Sequence, residues 1–414
     1  MDAILNTDTV VLGGGSAGVA AAVAAARKGL QVILIERNAY LGGKATAAEV
    51  GTVCGLYKFN KKEIPEYIVN GFAKEFAESL QNRSNTKPLH NTDGLHYLPY
   101  HIDAFKNISL ELLQENNITV YFNSVLKTVQ TKDEKIVSVS VIADGNPITI
   151  QLKAIIDCSG DSIISRATDL PLLKSENYQA AAQVFTMQDV NEDNEARLGM
   201  IIMKALRLAI DKDQLANFYD RTYIVPGSLQ NKIVSFKVGI PLDVTYAPGN
   251  LQELKTVAHS FVENLSQFLI THVPVFKNAS IQHIAPEVGI RIGQRSIGKY
   301  ILTEEDVLAC KKFYDAIANA AWPIEEWEQH RRVKMRYLTL DDFYQVPARC
   351  LQSNHISNLF FAGRNISATD GAIASARVMG ICLQTGYAAG LMAAGSALNL
   401  PLEDSIKHIQ NDQL

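Results

Sequence analysis

TVVLGGGSAGVAAAVAAARKGLQVILIE, residues 9–36, begins with a β-branched apolar run that predicts a short strand. A glycine-rich turn follows, and then an alanine-rich segment that ends at Lys28-Gly29, as a helix with a cation in its last turn and a C-terminal glycine does. A second apolar strand leads directly into the acid Glu36. The stretch therefore predicts a strand, helix, strand unit whose first turn carries the pattern G-x-G-x-x-G.

The residues of this turn have physical roles in binding a dinucleotide. Gly13 permits the tight turn, Gly15 lets a pyrophosphate approach the backbone, and Gly18 allows the helix to pack closely on the strand. The helix begins near Ser16 and Ala17, so its unpaired N–H groups and the positive end of its dipole face the phosphates.

The context of the motif favours dinucleotide binding over an ordinary glycine turn. Glu36 lies 18 residues beyond Gly18, close to the spacing of about 20 expected for an acid that binds a ribose diol. A carboxylate there repels a 2′-phosphate, so we expect an unphosphorylated adenosine. A membrane span or signal peptide is the other alternative, and we reject it because glycines interrupt the run and Asp2 and Asp8 precede it.

The composition is that of an ordinary globular protein. At 414 residues the chain is long enough for two or three domains, and its net charge of −4 indicates neither a nucleic acid nor a membrane partner. The five cysteines are widely spaced without a C-x-x-C, and the nine histidines show no ligand spacing. We expect no disulfide framework, no metal and a cytoplasmic location.

Several segments after residue 36 bear on a binding site. The adjacent Gly42 and Gly43, followed by Lys44 and Thr46, offer a second place where backbone lies against a cofactor; the alternative is a plain loop. Cys54 fits either a small core residue, which we favour, or a thiol facing a cofactor ring. Residues 96–103 fit either a strand or edge at a domain crossover, or one wall of a substrate pocket. Periodicity predicts helices over 68–80 and 103–116, with Asp103 as the N-cap of the second.

Three alternating segments, 126–130, 136–142 and 148–152, predict a β-meander because strong turn signals join them. A buried parallel strand follows and ends in Ser159-Gly160-Asp161, which predicts a third nucleotide contact at the carboxyl edge of the sheet. Beyond residue 180 a mixed region without nucleotide signals reads as a second domain. Arg291 and Arg295 in this region fit either an acidic substrate or surface ion pairs. Near the end, residues 358–365 predict a strand and a glycine turn, and a helical stretch runs from 371 to 397.

Motifs along nearly the whole chain resemble FAD-dependent oxidoreductases of the glutathione-reductase-like flavoprotein superfamily, in the branch related to fumarate reductase and succinate dehydrogenase flavoproteins. In order, the motifs are GGGSAG with Glu36-Arg37, LGGKAT, IIDCSGD, PEVGIRIGQRSIGKYILTEEDV, YQVPARCL, NLFFAGRNIS and SARVMGICLQTGYAAG. The resemblance implies an α/β fold: a Rossmann-like FAD-binding domain with a β-meander, plus an inserted mixed α+β substrate domain. We assign residues 1–50, 101–170 and 336–414 to the first domain, and 51–100 and 171–335 to the second.

The resemblance also implies roles for residues that the first motif does not contain. Arg37, Gly43 and Val125 would lie along the adenosine and linker, and Ser159 and Gly160 would close over the pyrophosphate. The remaining implied cofactor residues are Gly363 and Arg364 near the ribityl chain, and Gly371 to Ala374, where a helix N-terminus would face the flavin.

The chain also departs from the patterns of related enzymes. Ile292-Gly293-Gln294 stands after Arg291 where family members often have an acid and a second arginine. The cysteine pair of disulfide reductases, the Gly-Asp-Ala of flavin hydroxylases and a second nucleotide motif are absent from the sequence.

The function we predict is hydride transfer between bound FAD and a small polar metabolite. Arg291, Arg295, Tyr344 and Arg349 are its predicted substrate-side residues. A flavin monooxygenase or oxidase, and a non-redox FAD-binding subunit of a larger complex, are the alternatives. The sequence identifies neither the electron acceptor nor the oligomeric state, and an oligomer is possible.

Overall fold

A computed structural model describes residues 3–175, 178–328 and 333–414 of the chain. The residues outside these ranges belong to the predicted domain segments 1–50 and 171–335. The predicted strand, helix, strand unit is present as Thr9–Leu12, Ser16–Arg27 and Val32–Ile35. These elements form the centre of the fold.

A five-stranded parallel sheet holds the first motif. Its strand order is Leu359–Phe361, Ala154–Asp157, Thr9–Leu12, Val32–Ile35 and Thr119–Tyr121. Every residue of the four strands other than Thr119–Tyr121 is buried, which explains why they read as continuous apolar runs. The Rossmann-like fold predicted from the sequence is confirmed.

The β-meander forms a second sheet. Its antiparallel strands are Ser124–Lys132, Lys135–Ala143 and Asn146–Gln151. A strand that the sequence analysis did not predict, Ala3–Asn6, pairs in parallel with Asn146–Gln151. The meander is therefore tied to the start of the described chain.

The inserted region contains a four-stranded antiparallel sheet, ordered Thr222–Ile224, Val234–Gly239, Ala182–Gln188 and Ser280–Ile284. The helices Glu195–Asp211 and Asn250–His272 cover one face and form a separate apolar core with it. The other short sheets consist of Thr52–Cys54 with His96–Pro99 and Leu89–His90, Leu172–Leu173 with Arg295–Ser296, Ala316–Ala320 with Tyr344–Pro347, and Ile324–Trp327 with Val333–Arg336.

The other α-helices are Lys44–Ala47, Gly71–Ser84, Ile102–Glu115, Ile163–Ala167, Glu304–Leu308, Asp370–Ala376, Met379–Ala397 and Leu402–Gln413. Short 3-10 helices span Asn217–Arg221, Pro274–Phe276, Ala348–Leu351 and Gly363–Asn365. The N-cap prediction for Asp103 was wrong: His101 is the cap, and Asp103 lies in the first turn, where its charge still favours the helix dipole.

The largest apolar core joins the first helix to the C-terminal helices. A Cβ on Gly386 would lie 2.2 Å from the backbone oxygen of Ala17, and one on Gly390 would lie 2.3 Å from that of Ala21. The small residues of Met379–Ala397 therefore serve close packing on Ser16–Arg27. The same core includes apolar residues from 51–100, such as Phe72 and Leu98, and the predicted domain boundaries stay a prediction.

The predicted helical stretch 371–397 is broken into two helices that meet at 95°. In the part of the chain that the structure describes, no single helix is long and apolar enough to cross a membrane, although this bent pair reaches that length and composition jointly. The break falls at Arg377 and Val378, and it places both residues at the cavity described next.

Candidate active site

One cavity of about 370 Å³ lies where the parallel strands end. Gly13, Glu36, Ser159 and Gly363 each follow one of four parallel strands directly or within two residues, and all four line the cavity. This is the edge at which α/β sheets bind their ligands. The predicted cofactor residues that line it are Gly13, Gly15, Ser16, Ala17, Glu36, Arg37, Gly42, Gly43, Lys44, Val125, Ser159, Gly160, Gly363 and Arg364.

Four glycines of this lining, Gly13, Gly15, Gly43 and Gly160, are called the glycine wall below. Gly13 has a φ of +97°, and a Cβ there would lie 2.8 Å from the carbonyl oxygen of Cys158. At Gly43 a Cβ would lie 2.9 Å from the Cα of Gly15. By contrast, a Cβ on Gly15 would meet only the Cα of Gly43, at 3.7 Å. Protein packing therefore explains why Gly13 and Gly43 are glycines, whereas at Gly15 it leaves room for a methyl group.

Glu36 is buried at the end of its strand. One carboxylate oxygen accepts the N–H of Gly14 at 2.6 Å and the other accepts that of Asn38 at 2.8 Å. Burial raises the pKa of Glu36, and the two backbone N–H groups oppose this shift. These two hydrogen bonds fix the side chain in place. Each oxygen retains a lone pair, so the carboxylate can also accept hydrogen bonds from the hydroxyls of a ribose diol.

Arg364 provides a positive charge beside the glycine wall. A Cβ on Gly160, whose φ is +81°, would lie 2.2 Å from a guanidinium nitrogen of Arg364. Arg364 also donates to the carbonyl of Ile290 at 2.8 Å. The absence of a side chain at Gly160 thus lets the guanidinium lie against the backbone, at a position suited to an anionic group.

Arg37 and Lys44 share one partner, Glu287. The side chain of Arg37 lies 2.8 Å from the Glu287 carboxylate and that of Lys44 lies 2.6 Å from it. Burial would raise the pKa of Glu287, but the charges of Lys44 and Arg37 lower it to about 2. These two cations therefore join the motif region to the loop that precedes Arg291.

Five predicted cofactor residues do not line the cavity. Gly18 packs against the turn, since a Cβ would lie 1.7 Å from the Gly13 oxygen, and Thr46 is buried with its hydroxyl on the Leu41 carbonyl. Asp161 accepts the hydroxyl of Tyr246 at 2.8 Å. Gly371 and Ala374 lie in the helix before the break and not at the cavity, so the predicted position of the helix N-terminus needs correction; a Cβ on Gly371 would meet Glu304.

The second helix supplies the N-terminus that was expected at residue 371. Val378, Met379 and Cys382, at the start of Met379–Ala397, line the cavity. The first N–H groups of a helix lack intrahelical partners and carry its positive dipole end. The cavity is thus electrostatically suited to an electron-rich group beside this helix N-terminus.

Three of the four predicted substrate-side residues lie elsewhere. Arg295 is buried, pairs with Asp370 and donates to the carbonyls of Ala368 and Gly293, both at 2.9 Å. Tyr344 is fully buried with its hydroxyl 2.7 Å from that of Ser375. Arg349 forms two hydrogen bonds with Asp315, at 2.9 and 3.2 Å. The structure corrects these three predictions, because each polar group is bound to a partner within the protein and none of the three side chains lines the cavity.

Arg291 does line the cavity, with four residues that the sequence analysis did not select. We call Arg291, Lys237, Glu325, Trp327 and Arg377 the charged wall. The Arg291 guanidinium lies 4.2 Å from the centroid of the Trp327 ring and donates to the carbonyl of Ala180. Glu325 accepts the indole N–H of Trp327 at 2.8 Å and lies 3.7 Å from Arg377.

The charged wall carries three basic groups and one acid. Burial, followed by the charge of Arg377, lowers the pKa of Arg291. Burial would raise the pKa of Glu325, but Arg377, Lys237 and Arg291 together lower it. The Nε of Arg377 is buried without a hydrogen-bond partner among the described residues. The wall therefore has an excess of positive charge and can bind an anion.

Cys54 also lines the cavity, so the alternative of a thiol facing a ligand is the one its position favours. Burial raises the pKa of the Cys54 thiol to about 12, which keeps it neutral rather than nucleophilic. All five cysteines are free. Residues 96–103 do not line the cavity, and His96–Pro99 is a strand, as the simpler interpretation held.

The sequence contained weak signals for the missed residues. Arg377 is a lone cation in an alanine- and glycine-rich stretch, and Glu325 and Trp327 occupy alternate positions of one strand. Such signals identify side chains that share a face but not the cavity they face.

The geometry fits the adenosine diphosphate half of a dinucleotide, with a glycine cradle, a helix N-terminus, an arginine and a fixed ribose-binding acid. Fold and cavity together define a dinucleotide-binding enzyme of the Rossmann-like class. The chain belongs to the family of FAD dependent oxidoreductases, whose model matches residues 8–399. It is thus an FAD-dependent oxidoreductase, and FAD is its cofactor.

Two solved structures with TM-scores above 0.5 share the fold at low sequence identity, and a third match has a lower score. BexE, studied for oxidation during BE-7585A biosynthesis, has a TM-score of 0.53 at 10% identity, covering 98% of this chain and 65% of that one. The OxyS anhydrotetracycline hydroxylase from Streptomyces rimosus has a TM-score of 0.51 at 10% identity, with the same coverages of 98% and 65%. A geranylgeranyl bacteriochlorophyll reductase-like protein from Thermoplasma acidophilum has a TM-score of 0.48 at 14% identity, covering 99% and 83%. None of the curated proteins matches the sequence.

Proposed function

We propose that this enzyme transfers a hydride between bound FAD and a small polar metabolite that carries a carboxylate. One observation carries the proposal: a single cavity is lined both by the glycine wall and by the charged wall. The first suits the nucleotide and the second suits an anionic substrate.

The residues of each wall have separate tasks. Gly13, Gly15 and Ser16 would hold the pyrophosphate, and Glu36 the adenosine ribose. When bound, FAD supplies a two-electron redox group that accepts or donates a hydride. The N-terminus of Met379–Ala397 would stabilise negative charge at that end of the cavity.

Substrate binding is assigned to the arginines of the charged wall. Arg291 and Arg377 would bind the carboxylate, because guanidinium groups pair with carboxylates through parallel N–H bonds. The Trp327 ring holds the Arg291 guanidinium against its face, and Glu325 positions Arg377. The recessed position of these groups strengthens their electrostatic interactions with a bound anion.

The test is a screen for bleaching of the flavin absorption band under anaerobic conditions. Small carboxylates should bleach the bound flavin, whereas their amide analogues, which match in size but lack the charge, should be at least tenfold slower. Equal rates for acid and amide would remove the carboxylate from the proposal. Rapid reaction of the reduced enzyme with oxygen, yielding a hydroxylated product, would instead support a monooxygenase.

A further inference from the structure

Lys237 occupies a position that strand geometry directs at the cavity. In Val234–Gly239 the residues Val234, Phe236 and Val238 are buried in the apolar core of the inserted region. Alternate residues of a strand point to opposite faces, so Lys237 lies on the other face, where it lines the cavity. A lysine in this place is not explained by the packing of the sheet.

The Lys237 amine has no hydrogen bond or salt bridge among the described residues. It lies 4.8 Å from the centroid of the Trp327 ring. Glu325, the acid of the charged wall, already accepts the indole N–H groups of Trp327 and Trp322, at 2.8 and 3.2 Å, and faces Arg377. The acid of the charged wall is therefore committed to other donors.

Charge within the wall favours loss of a proton from Lys237. Arginines keep their protons, whereas a buried lysine changes state readily. Burial, followed by the charge of Arg291, lowers the pKa of Lys237 to about 8. Arg377 acts in the same direction, while Glu325 and the Cys54 thiol oppose the shift.

The strands on either side of Lys237 place few further charges beside it. The residues paired with it in register are Val184 and Tyr223. Arg221 and Glu328 lie with Lys237 around a small adjoining cavity. Arg221 donates to the backbone oxygen of Glu328 at 3.5 Å.

We propose that Lys237 is the acid–base residue of the reaction, and that the substrate is a hydroxy acid. This rests on the proposed function. In the oxidation direction the substrate carbon loses its hydrogen as a hydride to FAD, and the hydroxyl proton passes to the neutral amine of Lys237. The C–O bond becomes a carbonyl, and Lys237 becomes an ammonium; reduction reverses both transfers. A hydroxyl requires such a base, since its proton must leave as the carbonyl forms, whereas a neutral amine substrate does not.

The first experiment needs no substrate. The FAD-loaded protein is acetylated with trace acetic anhydride between pH 6 and 10, and each lysine is followed by mass spectrometry. Lys237 should reach half of its maximal rate near pH 8, and Lys204, which is exposed on the helix Glu195–Asp211, is followed in the same samples for comparison. Titration of Lys237 together with Lys204 would overturn the proposal.

The second experiment measures the rate of anaerobic flavin bleaching by a panel of hydroxy acids as a function of pH. The rise in rate centred near pH 8 should be lost in Lys237→Met and retained in the control Lys204→Met. Added methylamine or ethylamine should raise the bleaching rate of Lys237→Ala at least tenfold, because a free amine can replace the missing base. A purely structural role of Lys237 would not allow this rescue. A retained pH dependence in Lys237→Met would exclude the role. If neither hydroxy acids nor other metabolites bleach the flavin, the proposed function fails, and the acetylation result alone decides the state of Lys237.

Discussion

The two walls of the cavity are built in different ways. The glycine wall is made of backbone, and three of its four glycines, Gly13, Gly15 and Gly160, stand within three residues of the end of a strand of one sheet. The charged wall is made of side chains from four separate segments, at residues 237, 291, 325–327 and 377. A turn needs particular residues at fixed spacing, whereas a side-chain cluster needs only that distant segments converge. The first kind of site is therefore readable as a motif and the second is not.

The sharpest test of the division between the walls is Arg291→Ala. We expect turnover of a carboxylate substrate to fall by about 1,000-fold, or about 4 kcal/mol, because a recessed anion loses its main partner. FAD binding should be unchanged, since Arg291 belongs to the charged wall. Steady-state kinetics and flavin content measure the two effects separately.

A matched control for that substitution is Arg207→Ala, an exposed arginine that pairs with Asp211 within one helix. This substitution should leave both the turnover of the carboxylate substrate and the binding of FAD as in the wild type. Loss of FAD in Arg291→Ala would show that the two walls are not functionally separate.

The glycine wall is tested by Gly15→Ala. Because the new Cβ meets only Gly43, at an ordinary contact distance of 3.7 Å, the fold should tolerate it. The methyl group would still hold a pyrophosphate away from the backbone, so we expect FAD affinity to fall about 100-fold, or about 3 kcal/mol. Fluorescence titration of the apoprotein with FAD gives the affinity. Gly199→Ala, in the helix Glu195–Asp211 and away from the cavity, is the control that should keep full affinity, because a Cβ there would meet only Ile224, at 3.9 Å. A wild-type affinity in Gly15→Ala would contradict the assignment.

Arg295→Ala distinguishes a structural arginine from a substrate-binding one. Removing this buried side chain takes the charged partner from Asp370, which keeps only the Ser175 hydroxyl as a donor, and it takes the arginine donors from the carbonyls of Ala368 and Gly293. This should cost about 2 kcal/mol of stability and lower the melting temperature by a few degrees. The KM for a carboxylate should stay the same. A raised KM at an unchanged melting temperature would show instead that Arg295 binds the substrate.

The smallest expected effect is the pH dependence of stability that Lys237 causes. Its folded-state pKa of about 8 lies below the ordinary 10.5, so the unfolded chain binds more protons between these values. The wild type should therefore gain stability relative to Lys237→Met as the pH rises from 7 to 10. We expect about 1 kcal/mol, after allowing for solvent screening at the partly exposed amine. Melting temperatures of both proteins at each pH give the difference, and a constant difference would mean that the pKa is not lowered.

Sequence alone was sufficient for the central fold and for the first motif. Thr9–Leu12, Ser16–Arg27 and Val32–Ile35 lie where the pattern predicts them, because glycine spacing, β-branched runs and a helix end are local signals. The meander followed from turn residues in the same way. Family membership and FAD, expected from several motifs in order, are likewise confirmed.

Tertiary structure decided which polar side chains reach the cavity. Arg291 and Arg295 are four residues apart in one motif, yet the first stacks on Trp327 in the cavity while the second pairs with Asp370 in the interior. Arg377 reaches the cavity only because a predicted continuous helix breaks and turns by 95°. Sequence thus determined the backbone cradle, whose geometry depends on neighbouring residues. The charged wall depends on contacts between segments far apart in the chain, and only the folded structure shows them.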